Sequence, residues 1–294
     1  MLGVGHRATV TLYPVSSSTS PLPRPFRSDD PGAILPRSAS VALWLPQVSS
    51  QPFLTSQALS SIYQQDEPHT MTGSPHSLEE LFSLCSGQIV AACAAFPVPG
   101  DVASAPFLAT DAAVEAEEAV LFRLARPAIL DPDQAPNAMW AMVPEITEFG
   151  SHIERGYLVR WQLLGIEPWE HQILGTAGSL ADAAQHLRSG LIYATEALTS
   201  LDVAKWREEH SELIELLRDP VELTGFVPNN LSPRQTHVLQ QSARLRAIVD
   251  LARLDEGGAI NTWQADQRLG ALREIDGVAR RAMTAATLFS GLVH

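Results

Sequence analysis

The chain has 294 residues, 45% of them hydrophobic, and a formal net charge of −13. Such an acidic chain repels phosphate groups at long range, which counts against nucleic acid or an anionic membrane surface as its main partner. The charge is typical of a protein selected for solubility and does not identify a reaction.

Residues 1–70 are rich in Ser and Pro and show no regular hydrophobic period. Interior prolines interrupt a helix. The best apolar run, 41–45, stops at Pro46 and is far shorter than the ~20 residues of a membrane span. We therefore predict a disordered leader that is dispensable for folding. Alternatively, Met71 is the native start and the leader is not part of the protein. A transit peptide and a docking segment for a proline-binding module are further alternatives.

The helical hydrophobic periodicity of residues 71–294 predicts a single helical domain. Each predicted helix starts at a capping residue or at a proline suited to the first helical position. In chain order these starts are Ser77 with Glu80, Thr110 with Asp111, Pro144, Pro168, Ser179 with Asp182, Asp202, Ser232 with Pro233, and Asn261 or Thr262. The first helix is expected to run to Phe96, and we find no alternating segment of strand length.

Short connections between these helices favour antiparallel neighbours. The predicted fold class is all-α, a multi-helix antiparallel bundle preceded by the disordered leader. The last two helices are expected to form a hairpin through residues 255–258, and a few apolar side chains should meet across it. These are Leu245, Ile248 and Leu251 on one helix, and Leu269, Leu272 and Ile275 on the other.

The two cysteines, Cys85 and Cys93, are predicted to lie on one helix. Eight residues of helix separate them by ~12 Å, which is too far for a disulfide. No secretory signal precedes them, so we expect reduced thiols in a cytoplasmic protein.

Carboxylates recur four residues before histidines, a spacing that places both side chains on one helical face. The pairs are Glu148 with His152, Glu167 with His171, and Asp182 with His186, and His210 and His237 are further candidates. A converging set would favour a metal or acid–base site. Exposed pairs worth ~0.2–0.5 kcal/mol each are the favoured interpretation. We therefore expect no metal and no cofactor.

Two tryptophans, Trp161 and Trp169, flank a predicted helix break, with Arg160 and His171 nearby. These four residues are the candidate ligand-binding set, and the alternative is that the tryptophans anchor the core.

The main hypothesis is a cytoplasmic helical protein that binds a protein partner or a small ligand without catalysis. The alternative is a helical-bundle enzyme that uses His and carboxylate side chains, with or without a metal ion.

Overall fold

The computed structural model describes residues 35–72, 76–101, 104–106, 109–151, 155–200, 222–254 and 262–291. The helices in these ranges are α1 (Arg37–Ser50), α2 (Thr55–Tyr63), α3 (Leu78–Leu84), α4 (Thr110–Ala116), α5 (Glu170–Ala177), α6 (Leu180–Ser200), α7 (Pro233–Leu254) and α8 (Thr262–Thr287), with a 3₁₀ turn over Pro52–Leu54. The strands are β1 (Thr70–Thr72), β2 (Ile89–Ala95), β3 (Ala119–Ala128), β4 (Asn137–Gly150), β5 (Arg155–Gly165) and β6 (Phe289–Ser290).

The strands form one mixed sheet in the order β1-β5-β4-β3-β2-β6. Only β1 runs parallel to its neighbour, and the other pairs are antiparallel. The β4–β5 hairpin is the longest pairing, from Trp140 opposite Gly165 to Gly150 opposite Arg155. The prediction of an all-α bundle is therefore wrong, because a six-stranded sheet occupies the centre of the fold.

Strand β5 carries the alternating pattern that the sequence analysis missed. Tyr157, Val159, Trp161 and Leu163 are buried, while the residues between them face solvent. One of the solvent-facing residues, Leu158, is apolar, so the hydrophobicity of the sequence does not alternate at this position although the burial does. Strand β2 shows no alternation because both of its faces are covered, and periodicity cannot distinguish such a run from a buried helix.

Pro144 lies inside β4 and does not begin a helix. The pairing of β3 with β4 reaches only as far as Met142 at this end, so β4 is paired on one side alone at Pro144. A proline without a backbone N–H is tolerated at such a position.

Helix α1 lies in the core, and all of its residues except Gln47 and Ser50 are buried. No side chain of its own caps the helix, and the carboxylate of Glu118 does so instead. It accepts hydrogen bonds from the backbone N–H of Ser38 at 2.9 Å and from the Ser38 hydroxyl at 2.7 Å. The prediction of a disordered leader is thus wrong for residues 35–70, and residues 1–34 lie outside the described ranges.

Three predicted helix starts are confirmed by side-chain hydrogen bonds. Ser77 and Glu80 form a reciprocal capping box at α3. Ser179 with Asp182 caps α6, and Ser232 with Gln235 caps α7. Helix α3 ends at Leu84, however, and after a turn over residues 85–88 the chain forms β2, so the first predicted helix is too long.

Helices α7 and α8 pack against each other, and Leu245, Leu272 and Ile275 belong to one core cluster. The predicted hairpin loop, 255–258, lies outside the described residues.

The main core lies between one face of the sheet and α1, α7 and α8. A smaller cluster around Trp169 covers part of the opposite face. In the described ranges, none of the helices combines the length and the apolar composition that crossing a bilayer requires.

Candidate functional site

A shallow pocket lies between α5, α8 and the loop that follows β2. Its empty space, including the part open to solvent, is about 230 Å³. The apolar wall consists of Phe96, Ile173 and Ala177. The polar wall consists of the hydroxyls of Ser104, Thr176 and Thr284 and the guanidinium groups of Arg280 and Arg281.

Arg280 ties helix α8 to the end of β2. Its Nε donates to Asp276 at 2.9 Å, and its Nη1 donates to the Phe96 carbonyl at 2.7 Å and to Asp101 at 2.9 Å. The side chain of Arg280 is only 6% exposed. Because two carboxylates neutralise this guanidinium, its first role is to join α8 to the sheet.

Arg281 has no hydrogen bond or ion pair within the described part of the chain. Its guanidinium lies over Gly277, where an added Cβ would be 3.1 Å from Nη1 of Arg281 and 3.7 Å from Nη2 of Arg280. The absence of a side chain at Gly277 thus lets both guanidinium groups converge above one turn of α8.

Two hydroxyls beside these arginines are also unused. Ser104 and Thr284 are 8% and 7% exposed, and neither hydroxyl hydrogen-bonds to another described residue. The Thr176 hydroxyl, in contrast, donates to the carbonyl of Gln172. Neither hydroxyl oxygen is among the fully buried polar atoms of the described residues that lack a partner, so both reach solvent. The pocket thus presents two solvent-accessible hydroxyls and one guanidinium that has no ion-pair partner among the described residues.

A second polar cluster lies inside the core. Arg37 donates from Nε and Nη2 to the two carboxylate oxygens of Asp66, at 2.6 and 2.7 Å. Nε2 of His69 is 3.1 Å from Asp66, and the indole of Trp161 donates to Nδ1 of His69 at 3.1 Å. An indole N–H can only donate. His69 is therefore neutral, with its proton on Nε2 and directed at Asp66.

The surroundings shift the pKa values in this cluster. Burial lowers the pKa of His69, although the hydrogen bond and the charge of Asp66 oppose the shift. Burial by itself would raise the pKa of Asp66, but the hydrogen bonds from Arg37 and His69 outweigh it and hold that pKa below its usual range. The His69 and Asp66 side chains are fully buried, and both ring nitrogens of His69 are engaged. The cluster is therefore suited to holding the fold together.

The structure does not bring the four predicted ligand-binding residues into one pocket. Trp161 and Trp169 are fully buried, but they lie in separate clusters on opposite faces of the sheet. Arg160 is exposed and pairs with Glu145 at 3.7 Å. His171 is exposed on α5, two residues before Ile173 of the pocket wall. The Trp169 indole N–H is buried without a hydrogen-bond partner. Their binding of a ligand stays a prediction.

The carboxylate–histidine pairs also lie apart. Glu148 is on β4, Glu167 precedes α5, and the Asp182–His186 pair is exposed on α6. The pKa of Asp182 is lowered chiefly by its hydrogen bond from Ser179, and His186 contributes less. His237 is exposed on α7, while His152 and His210 lie outside the described residues. Within the described residues, no group of three or more His, Cys, Asp or Glu side chains is arranged to hold a metal ion.

Both cysteines are free and buried. Cys85 follows α3 and Cys93 lies on β2, so the prediction that one helix carries both is wrong. Burial raises the pKa of Cys85 to about 12 and raises that of Cys93 as well. Neither thiol is activated for nucleophilic chemistry.

Sequence reasoning missed the pocket, although one local signal for it was present. Gly277, Arg280 and Arg281 are spaced so that both arginines lie over the glycine on one helical face. The groups opposite them, Phe96 and Ser104, are about 180 residues earlier in the chain, and no local pattern links them to α8.

Two family models match the chain. Residues 38–174 match the model described as Rv1486c-like protein, N-terminal domain, and residues 181–284 match the model described as Rv1486c-like protein, C-terminal domain. The comparisons with curated proteins and with solved structures gave no match. The pocket lies where the two matched regions meet, because Phe96 and Ile173 come from the first, and Arg280 and Arg281 from the second.

Proposed function

The chain belongs to the Rv1486c-like protein family, and we propose that it is a binding protein without catalytic activity, whose small ligand lies between the family's two domains. The observation that carries this proposal is the set of unpaired polar groups at the pocket. Arg281, Ser104 and Thr284 face it without partners among the described residues. Ligand sites occur preferentially at such domain junctions.

The chemistry of the polar wall supports binding over catalysis. A guanidinium remains protonated at any physiological pH, and hydroxyls donate or accept hydrogen bonds without changing charge. Such groups fix and orient a ligand, but general acid–base catalysis needs a group that exchanges protons near neutral pH. The alternative of an enzyme that uses His and carboxylates stays a prediction, which elemental analysis and His variants would test.

A protein partner is the second candidate ligand. It is favoured by the outer face of the β4–β5 hairpin, where Leu158 is 49% exposed and Phe149 is 42% exposed. Phe149 lies diagonally across the strand pair from Leu158, so the two side chains share one face.

A cytoplasmic location is also part of the proposal, and the two unpaired cysteine thiols support it.

The test is a thermal-shift screen of small anionic, neutral and cationic compounds against the full chain. A ligand that binds the native state raises the melting temperature. We expect the shift to disappear in Ala177→Phe, which fills the pocket, and to persist in Leu174→Phe on the exposed side of the same helix. If no compound stabilises the protein, or if the shift survives Ala177→Phe, the proposed function is wrong.

A further inference from the structure

We propose that a second copy of this chain pairs with the free edge of strand β4, residues 144–150, in the antiparallel register that places Thr147 opposite Thr147 of that copy. The two sheets then continue as one. The inference does not depend on the pocket. It rests on the second candidate function, a protein partner at the β4–β5 hairpin, and it names that partner.

Strand β4 extends past the neighbouring strand on one of its sides. Strand β3 begins at Ala119, and its pairing with β4 ends where Val120 lies opposite Met142. On its other side, β4 stays paired with β5 as far as Gly150. Within the described part of the chain, the free edge thus has a partner strand on one side alone. The N–H and C=O groups that point away from β5 form a template for another strand.

This edge is the longest and least protected in the described sheet. The outer strands β1 and β6 have only three and two residues, and a short strand is a common means of blocking an edge. The open side of β5 is occupied where the backbone N–H of Glu67 donates to the Tyr157 carbonyl at 3.0 Å. The free edge of β4 has one proline, Pro144 at its base, and no lysine. Residues 145 and 147–150 are exposed, so solvent reaches this stretch.

The ends of the free edge select the register. Opposite residues of paired strands point to the same face of the sheet, so a two-fold axis between two copies of β4 must pass at a residue. An axis at Thr147 pairs residues 144–150 with the same stretch of the second copy over its whole length. An axis at Ile146 would bring Gly150 of one copy opposite Met142 of the other, where β3 already pairs.

The charges of the hairpin allow a second copy to approach at this edge. The whole chain has a formal charge of −13, so two copies repel each other over most of their surface. In the free edge, however, Glu145 lies 3.7 Å from Arg160 and Glu148 lies 3.5 Å from Arg155. The two glutamates and the two arginines cancel. An axis at Glu148 would set two carboxylates directly opposite each other, which destabilises a sheet, whereas the axis at Thr147 does not.

The side chains along the edge favour pairing of strands. Thr147 lies opposite Leu158 of β5, so the proposed pairing places two threonines side by side on the outer face, with a leucine beyond each. Such cross-strand neighbours stabilise a sheet. The ring of Phe149 lies over Gly156, where an added Cβ would overlap it. This ring therefore leans towards β5 and leaves the backbone of the free edge open to a partner strand.

Sedimentation velocity of the full chain tests the association. We expect a species of twice the monomer mass of 31.9 kDa. It should increase with protein concentration up to about 500 µM, because a small interface associates weakly. Thr147→Glu sets like charges opposite each other and should weaken the dimer by at least about fivefold. The matched control is Thr72→Glu, which adds the same charge at an exposed position of β1 and should change the dissociation constant by less than about twofold.

Disulfide formation tests the register. Thr147→Cys sets two cysteines opposite each other with their Cβ atoms about 4.5–5.5 Å apart, close to the distance that a disulfide spans, so mild oxidation should give a covalent dimer. Glu145→Cys is the control, because its counterpart in the second copy lies about 14 Å away, four residues further along the strand. Cys85 and Cys93 are buried and should not cross-link.

A chain that stays monomeric at the highest concentration overturns the inference, whatever else covers this edge, and leaves the small-ligand proposal to the thermal-shift screen. A dimer that Thr147→Glu does not weaken overturns the free edge as its interface. A dimer in which Thr147→Cys does not cross-link, or in which Glu145→Cys cross-links equally well, overturns the register. If Thr147→Glu does not fold, the cross-linking of Thr147→Cys decides.

Discussion

Trp161 donates its indole N–H to Nδ1 of His69 at 3.1 Å, with both side chains in the core. The contact joins β5 to the segment just before β1, and through Asp66 it reaches Arg37 on α1. A hydrogen bond to Nδ1 exists only while that nitrogen carries no proton. The protonation state of His69 is therefore coupled to the way the sheet edge and α1 are held together.

We expect the protein to lose stability as the pH falls below about 6.5, the usual pKa of an unfolded-state histidine. Burial lowers the pKa of His69 in the folded state, so the unfolded chain binds more protons in this range and the free energy of unfolding decreases. Urea unfolding at pH 5, 6, 7 and 8 measures the slope. His69→Gln should be flatter between pH 5 and 7, and an unchanged slope in this variant would show that another group is responsible.

Asp66→Asn should cost about 3–5 kcal/mol of unfolding free energy, because it removes the carboxylate that neutralises a buried guanidinium. The Arg37 side chain is 3% exposed and Asp66 is fully buried. The matched control is Glu145→Gln, which breaks the exposed pair with Arg160 and should cost at most about 1 kcal/mol. Chemical denaturation measures both, and similar losses would mean that burial does not govern these ion pairs.

A chain that begins at Met71 should not unfold cooperatively, contrary to the expectation that the leader is dispensable. Removing α1 uncovers the sheet face on which it packs and leaves Glu118 without its partner Ser38. Thermal melting of this shortened chain, followed by circular dichroism, is the test. A melting curve like that of the full chain would refute the role of α1.

In the full chain, Trp44→Ala should cost about 3–5 kcal/mol of unfolding free energy. The control is Phe53→Ala, at a side chain that is 79% exposed, which should change the unfolding free energy by less than about 0.5 kcal/mol.

Neither thiol should react with Ellman's reagent while the protein is folded. Cys85 and Cys93 are fully buried, and burial raises the pKa of both, so the reactive thiolate is scarce and inaccessible. In guanidinium chloride, two equivalents should react. Rapid labelling of one equivalent in the native protein would contradict the buried position of that cysteine.

Some helix starts could be predicted from the sequence because their determinants are local. Ser77 caps α3 through Glu80, and Ser232 caps α7 through Gln235, in each case three residues further along. A cap of this kind depends only on neighbouring residues and on backbone geometry. The apolar run that contains Cys93 gives no such signal, because a strand buried on both faces and a buried helix have the same composition.

The sequence by itself determined the capped helix starts, the acidic surface charge and the hydrophobic residues available for a core. Only the tertiary structure decided that residues 89–95 form a strand, because their backbone partners lie on β3 and β6, up to about 200 residues away. It likewise placed Ser38 against Glu118, and Arg281 opposite Ser104. Hydrogen bonds within a helix close over four residues, but a sheet and a pocket bring distant segments together, and no local pattern specifies which ones meet.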